Sequence, residues 1–342
     1  MQRHPIKHFC LSLLPSPLLR GLYHMKKRDF DESLFRPAKY QHFFYKNISD
    51  LEQTALASKS CLKVYGVDRL SIFNVWVLLT VLSDSLSSIY QGFVPVPSNA
   101  FKDGNNIWDT FFEPILPTFE LRQAGELGDQ DHKRTMSFMT DESLRKRDIR
   151  FIHFLITRYL RLNATTKEYV LKEEERLGFD SKKTLGVLIR GTDYIKLKPK
   201  NHPRQPSFEE VVRTTRKVIK RFGYTSIYLA TEDEDIANRF KKEFPGMILE
   251  NKRHYLDKAF AKEKALLLRD VTLGISNEEE VLGLEYLTSL VLLSKCDSLV
   301  AGQCGGSVFA RYLNGLEYRC CRIFNKGRYH GFDILKHDYE SK

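Results

Sequence analysis

From Leu185 to Phe324, short apolar runs alternate with segments of helical period, and few folds accept that alternation. Leu185-Gly-Val-Leu-Ile-Arg190 reads as a buried strand. A loop rich in Lys and Pro runs to Pro206, and Ser207-Phe-Glu-Glu210 then has the form of a capping box. Phe208, Val211, Val212, Val218, Ile219 and Phe222 recur at helical spacing, and Gly223 stops that helix. Ile227–Ala230 is the next strand, followed by a short helix over Ile236, Ala237 and Phe240 that ends at Pro245-Gly246. Met247–Leu249 is a third strand. Ser276-Asn-Glu-Glu279 reads as a second capping box for a helix to about Lys295. Ser298–Ala301 is a fourth strand, Gly305–Ser307 opens a helix that stops at Asn314-Gly315, and Tyr318–Phe324 is a fifth strand. Strands separated by helices imply a parallel sheet, and right-handed crossovers make it doubly wound and Rossmann-like.

The first half is less regular. Residues 1–50 are basic and aromatic. Val64-Tyr-Gly66 ends a short strand, Ser71–Leu86 reads as a helix and Gly92–Val96 as another strand. A turn starts at Asn105–Trp108, with Phe111 and Phe112 expected inside. Leu160–Leu177 reads as one charged helix, with Thr165–Glu168 as a box within it, linking two α/β lobes. The expected division is 1–175 for the first lobe and 176–342 for the second.

Of 342 residues, 42% are hydrophobic and 28% charged, which rules out disorder and collagen-like structure. The formal net charge of +11 favours an anionic partner. Its cations are interleaved with acids and no nucleic-acid module appears, so nucleic acid is not expected. No apolar run reaches the ~18 residues of a spanning helix. The segment to about Met25 pairs Leu13, Leu14, Leu18 and Leu19 with Arg3, Lys7 and Arg20, suiting peripheral attachment to an anionic membrane. The six cysteines form no C-x-x-C pair and no zinc-finger spacing, so reduced buried thiols in a cytoplasmic protein are expected.

Ligands of open parallel sheets sit at the carboxyl ends of the strands. Three polar clusters fall there: Arg190-Gly-Thr-Asp193, Thr231-Glu-Asp233 and Gln303–Ser307. Gly305, Gly306 and Ser307 at a helix start suit a phosphate, or form an ordinary Gly-rich turn. Arg190 offers a planar fork for phosphate oxygens, or an ion pair with Asp193 that pins the loop. Asp193 itself is a general base or that loop's clamp. Lys196, Lys198 and His202 crowd the same strand end and are expected at the ligand. Glu232 and Asp233 bind a ribose or base, or cap the next helix. Asp129-Gln-Asp131 follows no strand, and Asp233-Glu-Asp235 reads better as a helix start than as a metal site. Neither a P-loop nor a Gly-x-Gly-x-x-Gly fingerprint is present.

The stretch Leu185–Tyr194, with Leu197-Lys-Pro199, His202–Pro206, Ile227–Asp233, Gly283–Leu287 and Leu293–Cys296, resembles a bacterial group of fucosyltransferase-like proteins. More distantly, its strand–Arg–Thr–Asp pattern is similar to GDP-fucose-dependent α1,6- and O-fucosyltransferases of the GT-B fold. The resemblance spans about residues 60–325. It implies an acceptor-binding first lobe and a donor-binding second lobe, with the donor pyrophosphate on Arg190, Thr192 and Tyr194 beside it, and Ser307 near the phosphate. Gly66 and Asn74 fall where that group's first lobe carries a Gly…Asn motif. The position two before Arg190 is Leu188 where the distant enzymes have His, and no Asp or Glu occurs from 194 to 208.

The expected function is therefore inverting transfer of a sugar, most simply fucose from GDP-fucose, to a glycan hydroxyl, with protein cations in place of a metal. Arg190 and Asp193 are the expected catalytic pair, in polysaccharide synthesis at the cytoplasmic membrane face. A metal-dependent transferase using Asp233 and Asp235, or a binding protein without turnover, are the alternatives.

Overall fold

The computed structural model describes residues 38–64, 75–98, 104–117, 122–126, 144–263 and 271–329. Gly66, Asn74, Asp129-Gln-Asp131 and the basic N-terminal segment lie outside them. The chain divides into two compact units, Met1–Asn163 and Ala164–Lys342. Among the described residues no helix is long and apolar enough to cross a membrane.

In the first unit the order is α1 (Ala38–Ser58), β1 (Ser60–Val64), α2 (Val75–Tyr90), β2 (Val94–Pro97), α3 (Ile107–Phe111), β3 (Arg122–Glu126) and α4 (Lys146–Tyr159). Its three strands form a parallel sheet in the order β2-β1-β3. Helix α2 is enclosed rather than lying on a surface: Val75, Val77, Leu78, Leu82 and Ile89 are buried, and so is Asp84 on its polar second half. Asn106, expected in a turn, caps α3 by accepting the Trp108 N–H at 3.0 Å. Phe111 and Phe112 are buried as the sequence implies. Glu52 joins α1 to α4, accepting Arg158 Nε at 2.5 Å and the Tyr159 hydroxyl at 2.7 Å.

The helix expected over Leu160–Leu177 is in fact interrupted. Helix α4 ends at Tyr159 and α5 runs from Ala164 to Leu177. Tertiary contacts take residues 161–163 out of helical geometry: Asn163 N–H donates to the Phe111 carbonyl at 3.0 Å, Glu113 N–H donates to the Arg161 carbonyl at 2.8 Å, and Leu162 bridges Phe112. Glu168 pairs with Lys172 at 2.6 Å. Helix α5 belongs to the second unit, where Lys295 pairs with Glu174.

The second unit continues with β4 (Thr184–Leu188), α6 (Asp193–Lys196), α7 (Phe208–Phe222), β5 (Ser226–Ala230), α8 (Glu234–Glu243), β6 (Ile248–Leu249), α9 (Asp257–Glu263), α10 (Glu278–Lys295), β7 (Ser298–Gly302), α11 (Gly305–Asn314) and β8 (Cys320–Phe324). All five strands are parallel, in the order β6-β5-β4-β7-β8. Alternate residues face opposite layers. Leu185, Val187, Ile227, Leu229 and Val300 pack with Val211, Val218, Ile236 and Phe240 of α7 and α8. Leu188, Tyr228, Ala230, Leu299 and Ala301 pack with Leu292, Leu293, Cys296 and Ala310 of α10 and α11. This is the doubly wound α/β sheet that the strand–helix rhythm requires.

The local signals mostly act as expected. Ser207 and Glu210 form the capping box at 3.2 and 2.8 Å, and Gly223 ends α7 at φ 77°. The second expected box is absent. Asn277, at φ 52°, precedes α10. Glu278 instead accepts the N–H groups of Leu273 at 2.7 Å and Gly274 at 2.9 Å. The incoming loop folds back on the helix start, and the left-handed Asn277, not Ser276, precedes the helix, so Glu279 does not stand three residues after the cap.

Candidate functional site

Strands β5, β4 and β7 lie side by side, so their carboxyl ends bring Thr231, Ile189 and Gln303 to one edge. Arg190 emerges there and is held on three sides. Its Nη2 donates to Asp193 Oδ1 at 2.6 Å, its Nε faces Glu232 Oε1 at 3.1 Å, and its guanidinium lies 4.7 Å from the centre of the Tyr194 ring. The side chain is 20% exposed, against 5% for Asp193 and 13% for Glu232. Burial opposes the arginine's charge, yet Glu232 and Asp193 prevail and hold its pKa well above the ordinary value. Burial likewise raises the Tyr194 hydroxyl.

Glu232 does more than face Arg190. Its Oε1 accepts the Gly191 N–H at 2.9 Å, the Thr192 N–H at 3.2 Å and the Thr192 hydroxyl at 2.8 Å. The ribose or base contact expected of Glu232 thus meets a carboxylate oxygen that already binds the β4 loop. Asp233 caps α8 through the Ile236 N–H at 3.0 Å. Burial, its largest influence, raises the Asp233 carboxyl. Asp193 Oδ1 also accepts the Tyr194 N–H at 2.9 Å. Of the two readings of Asp193, the clamp is the one its bonds realise.

The β4 and β5 loops touch at Gly191. A Cβ there would lie 2.4 Å from Asp233 Oδ2 and 2.6 Å from Asp233 Cβ, closer than side chains approach. Gly191→Ala is therefore expected to separate the loops and cost about 1–3 kcal/mol of stability, as overpacking does. Urea unfolding checks this; an unchanged midpoint would show that the contact yields freely.

Helix α11 starts at the same edge. The Ser307 hydroxyl is fully buried, accepting the Cys304 N–H at 3.0 Å and donating to the Cys304 carbonyl at 3.0 Å. The side chain that the resemblance puts near the phosphate here closes its own cap. Gly305 and Gly306 are buried too. A Cβ on Gly306 would sit 3.2 Å from Leu188 and 3.4 Å from the Tyr286 hydroxyl, so glycine lets the helix start close against β4. In the first turn of α11 the Ser307 N–H is itself capped by the Cys304 side chain.

The loop after Arg190 is drawn inward. Lys196 lies 5.9 Å from the Phe260 ring, and His202 meets Tyr194 edge to face at 5.1 Å. Lys198 and Asn201 have φ of 48° and 64°, and these left-handed residues turn the loop back. Gln205 Nε2 then donates to the Gln303 carbonyl at 2.8 Å, tying the loop to the end of β7. Residues 327–329 pair with the same loop: Asn201 N–H reaches the Tyr329 carbonyl at 3.0 Å and Arg204 N–H the Gly327 carbonyl at 2.9 Å.

Sequence reasoning missed three contributors: Tyr286, which the charges of Arg190, Tyr194 and Glu232 all reach, Gln205, and residues 251–256. Leu256 N–H donates to the Glu232 carbonyl at 2.9 Å, and Arg253 bonds Asn251 and Ser289. Tyr286 and Gln205 lie inside the stretches Gly283–Leu287 and His202–Pro206 that carry the resemblance, while a polar segment after a strand end is the one signal for residues 251–256. Among the described residues no group of three or more His, Cys, Asp or Glu is placed to hold a metal ion.

No protein-family model matches the chain. No curated protein matches it either. Solved structures do match. Fucosyltransferase NodZ from Bradyrhizobium is 12% identical, over 75% of this chain and 93% of that one, with a TM-score of 0.45. NodZ α-1,6-fucosyltransferase soaked with GDP-fucose is 14% identical, over 75% and 92%, with a TM-score of 0.48. POFUT1 in complex with GDP-fucose is 12% identical, over 85% and 82%, with a TM-score of 0.34. The chain is similar to these proteins in fold.

Proposed function

We propose that the chain is a glycosyltransferase that takes a nucleoside-diphosphate sugar, most simply GDP-fucose, and passes the sugar to a glycan hydroxyl with inversion. The observation that carries this reading is Arg190, fixed on Tyr194 at the carboxyl edge beside the start of α11. In such a transfer the hard step is departure of the diphosphate. A fixed guanidinium and an aligned helix N-terminus can stabilise that charge without reorganising. Lys196 and Lys198 lie in the loop that follows Arg190 and supply further positive charge, with His202 packed on Tyr194 in the same loop. Asp193, committed to Arg190, serves here as its partner and not as the base for the acceptor. Glycan synthesis suits this chemistry, and the sugar follows from the motif resemblance alone.

The test is a thermal-shift panel of GDP, UDP, GDP-fucose and other sugar nucleotides. A ligand at about 100 times its Kd should add ~2.7 kcal/mol of apparent stability. GDP and GDP-fucose are expected to raise Tm and UDP is not; no response to any nucleotide would overturn the reading. Commitment of both carboxylates near Arg190 favours a second reading, nucleotide binding without turnover. Persistent GDP binding with neither donor hydrolysis nor transfer over an acceptor panel would establish it.

A further inference from the structure

Arg190 carries the proposed function, yet it does not present an uncompensated charge. Asp193 and Glu232 both lie against its guanidinium, so the trio bears one net negative charge. We propose that Glu232 is a positioning residue and counter-ion of Arg190, not a ligand of the nucleotide, and that it holds down the site's affinity for anions while fixing the guanidinium. This inference rests on the donor-site reading above.

The geometry leaves Glu232 little freedom. One carboxylate oxygen accepts three hydrogen bonds and faces Arg190 Nε as well. Two of those donors are backbone amides of buried residues, Gly191 and Thr192. Turning the oxygen toward a ribose would strand them, which is costly in a buried loop. The main chain of Glu232 is fixed too, by Leu256 on its carbonyl and by the helix cap of Asp233 that follows. Oε1 is thus committed to the β4 loop and to Arg190, which fixes the carboxylate as a counter-ion; Oε2 carries none of these bonds. The repulsion between Glu232 and an incoming phosphate acts in a partly desolvated site, where screening is weak.

Glu232→Gln separates the roles, because the amide keeps an acceptor oxygen for Gly191 and Thr192 but loses the charge. It is expected to bind both GDP and inorganic pyrophosphate about tenfold more tightly by calorimetry, with little change in Tm and a steeper dependence on salt. Glu232→Ala removes the acceptor as well, so Tm should fall and the gain should vanish as Arg190 loses its orientation. If Glu232 contacts ribose, Glu232→Gln will weaken GDP and leave pyrophosphate unchanged, which overturns the proposal. Unchanged affinity for both probes overturns it equally. Wild-type protein binding neither probe would remove the donor site itself, a failure distinct from that of the counter-ion role.

Discussion

Arg190→Lys is expected to lower sugar transfer by about 10² to 10³, or ~2.7–4 kcal/mol, with the fold retained. The native guanidinium uses its plane and its fork together: one edge meets Asp193 at 2.6 Å, Nε faces Glu232 at 3.1 Å, and the flat face lies on Tyr194. A lysine keeps one charge but can meet only one carboxylate well and has no plane to stack. Arg190→Ala behaves differently. The side chain is only one-fifth exposed. Its removal strands two mostly buried carboxylates, at a cost near the lower end of ~3–5 kcal/mol. Urea midpoints and single-turnover rates, measured on both variants, separate the two losses. Full transfer by a stable Arg190→Lys protein would end the assignment of Arg190 to the leaving group.

The second unit was legible because its signals are local. Val211, Val218 and Phe222 repeat at helical spacing, Ser207 and Glu210 cap within one turn, and Gly223 stops the helix in the left-handed region. The alternation of Leu185, Val187 and Ile189 with Gly186 and Leu188 gives a strand buried on both faces. Strand order then places Arg190, Glu232 and Cys304 near one another without any further information. What stayed hidden depends on partners distant in sequence. The break at residues 161–163 is imposed by Phe111 and Glu113, and the start of α10 is set at Asn277, not Ser276, where the loop amides of Leu273 and Gly274 fold back on Glu278. Ser307 shows the limit at the site. Its position at the helix start could be read, but which way its hydroxyl turns is set by Cys304. Likewise the sequence placed Arg190 and Asp193 together without revealing that Glu232 would complete the clamp.

Asn251→Ala is expected to cost about 3 kcal/mol or more of stability and to weaken nucleotide binding, although Asn251 lies beyond reach of Arg190's partners. The residue is 2% exposed and follows β6. Its Oδ1 accepts the Tyr228 hydroxyl at 2.6 Å, Arg253 Nη2 at 2.6 Å and the Ser289 hydroxyl at 3.1 Å. Its Nδ2 donates to the carbonyls of Lys252 at 2.8 Å and Glu285 at 3.1 Å. One amide thus joins β5, the 251–256 segment and α10. Tyr228 is fully buried, and burial pushes its hydroxyl up to about 12 against the opposing influence of Arg253 and Ser289. Removing Asn251 leaves that hydroxyl to find another partner and takes an acceptor from Arg253 and Ser289, and each buried polar group left alone costs ~1–3 kcal/mol. Tyr228→Phe removes a donor and leaves no stranded group on its own side chain, so it should cost only ~1 kcal/mol. In that background Asn251→Ala should cost less than in the native chain, because one of its stranded partners is already gone. The binding effect follows from connectivity: Arg253 also holds the Thr231 carbonyl, and Leu256 holds that of Glu232, so loosening this segment releases the carboxylate that fixes Arg190. Paired urea titrations and GDP calorimetry test both parts. Additive costs for the two substitutions would show that the network is not a unit, and unchanged GDP affinity in a destabilised Asn251→Ala protein would disconnect it from the site.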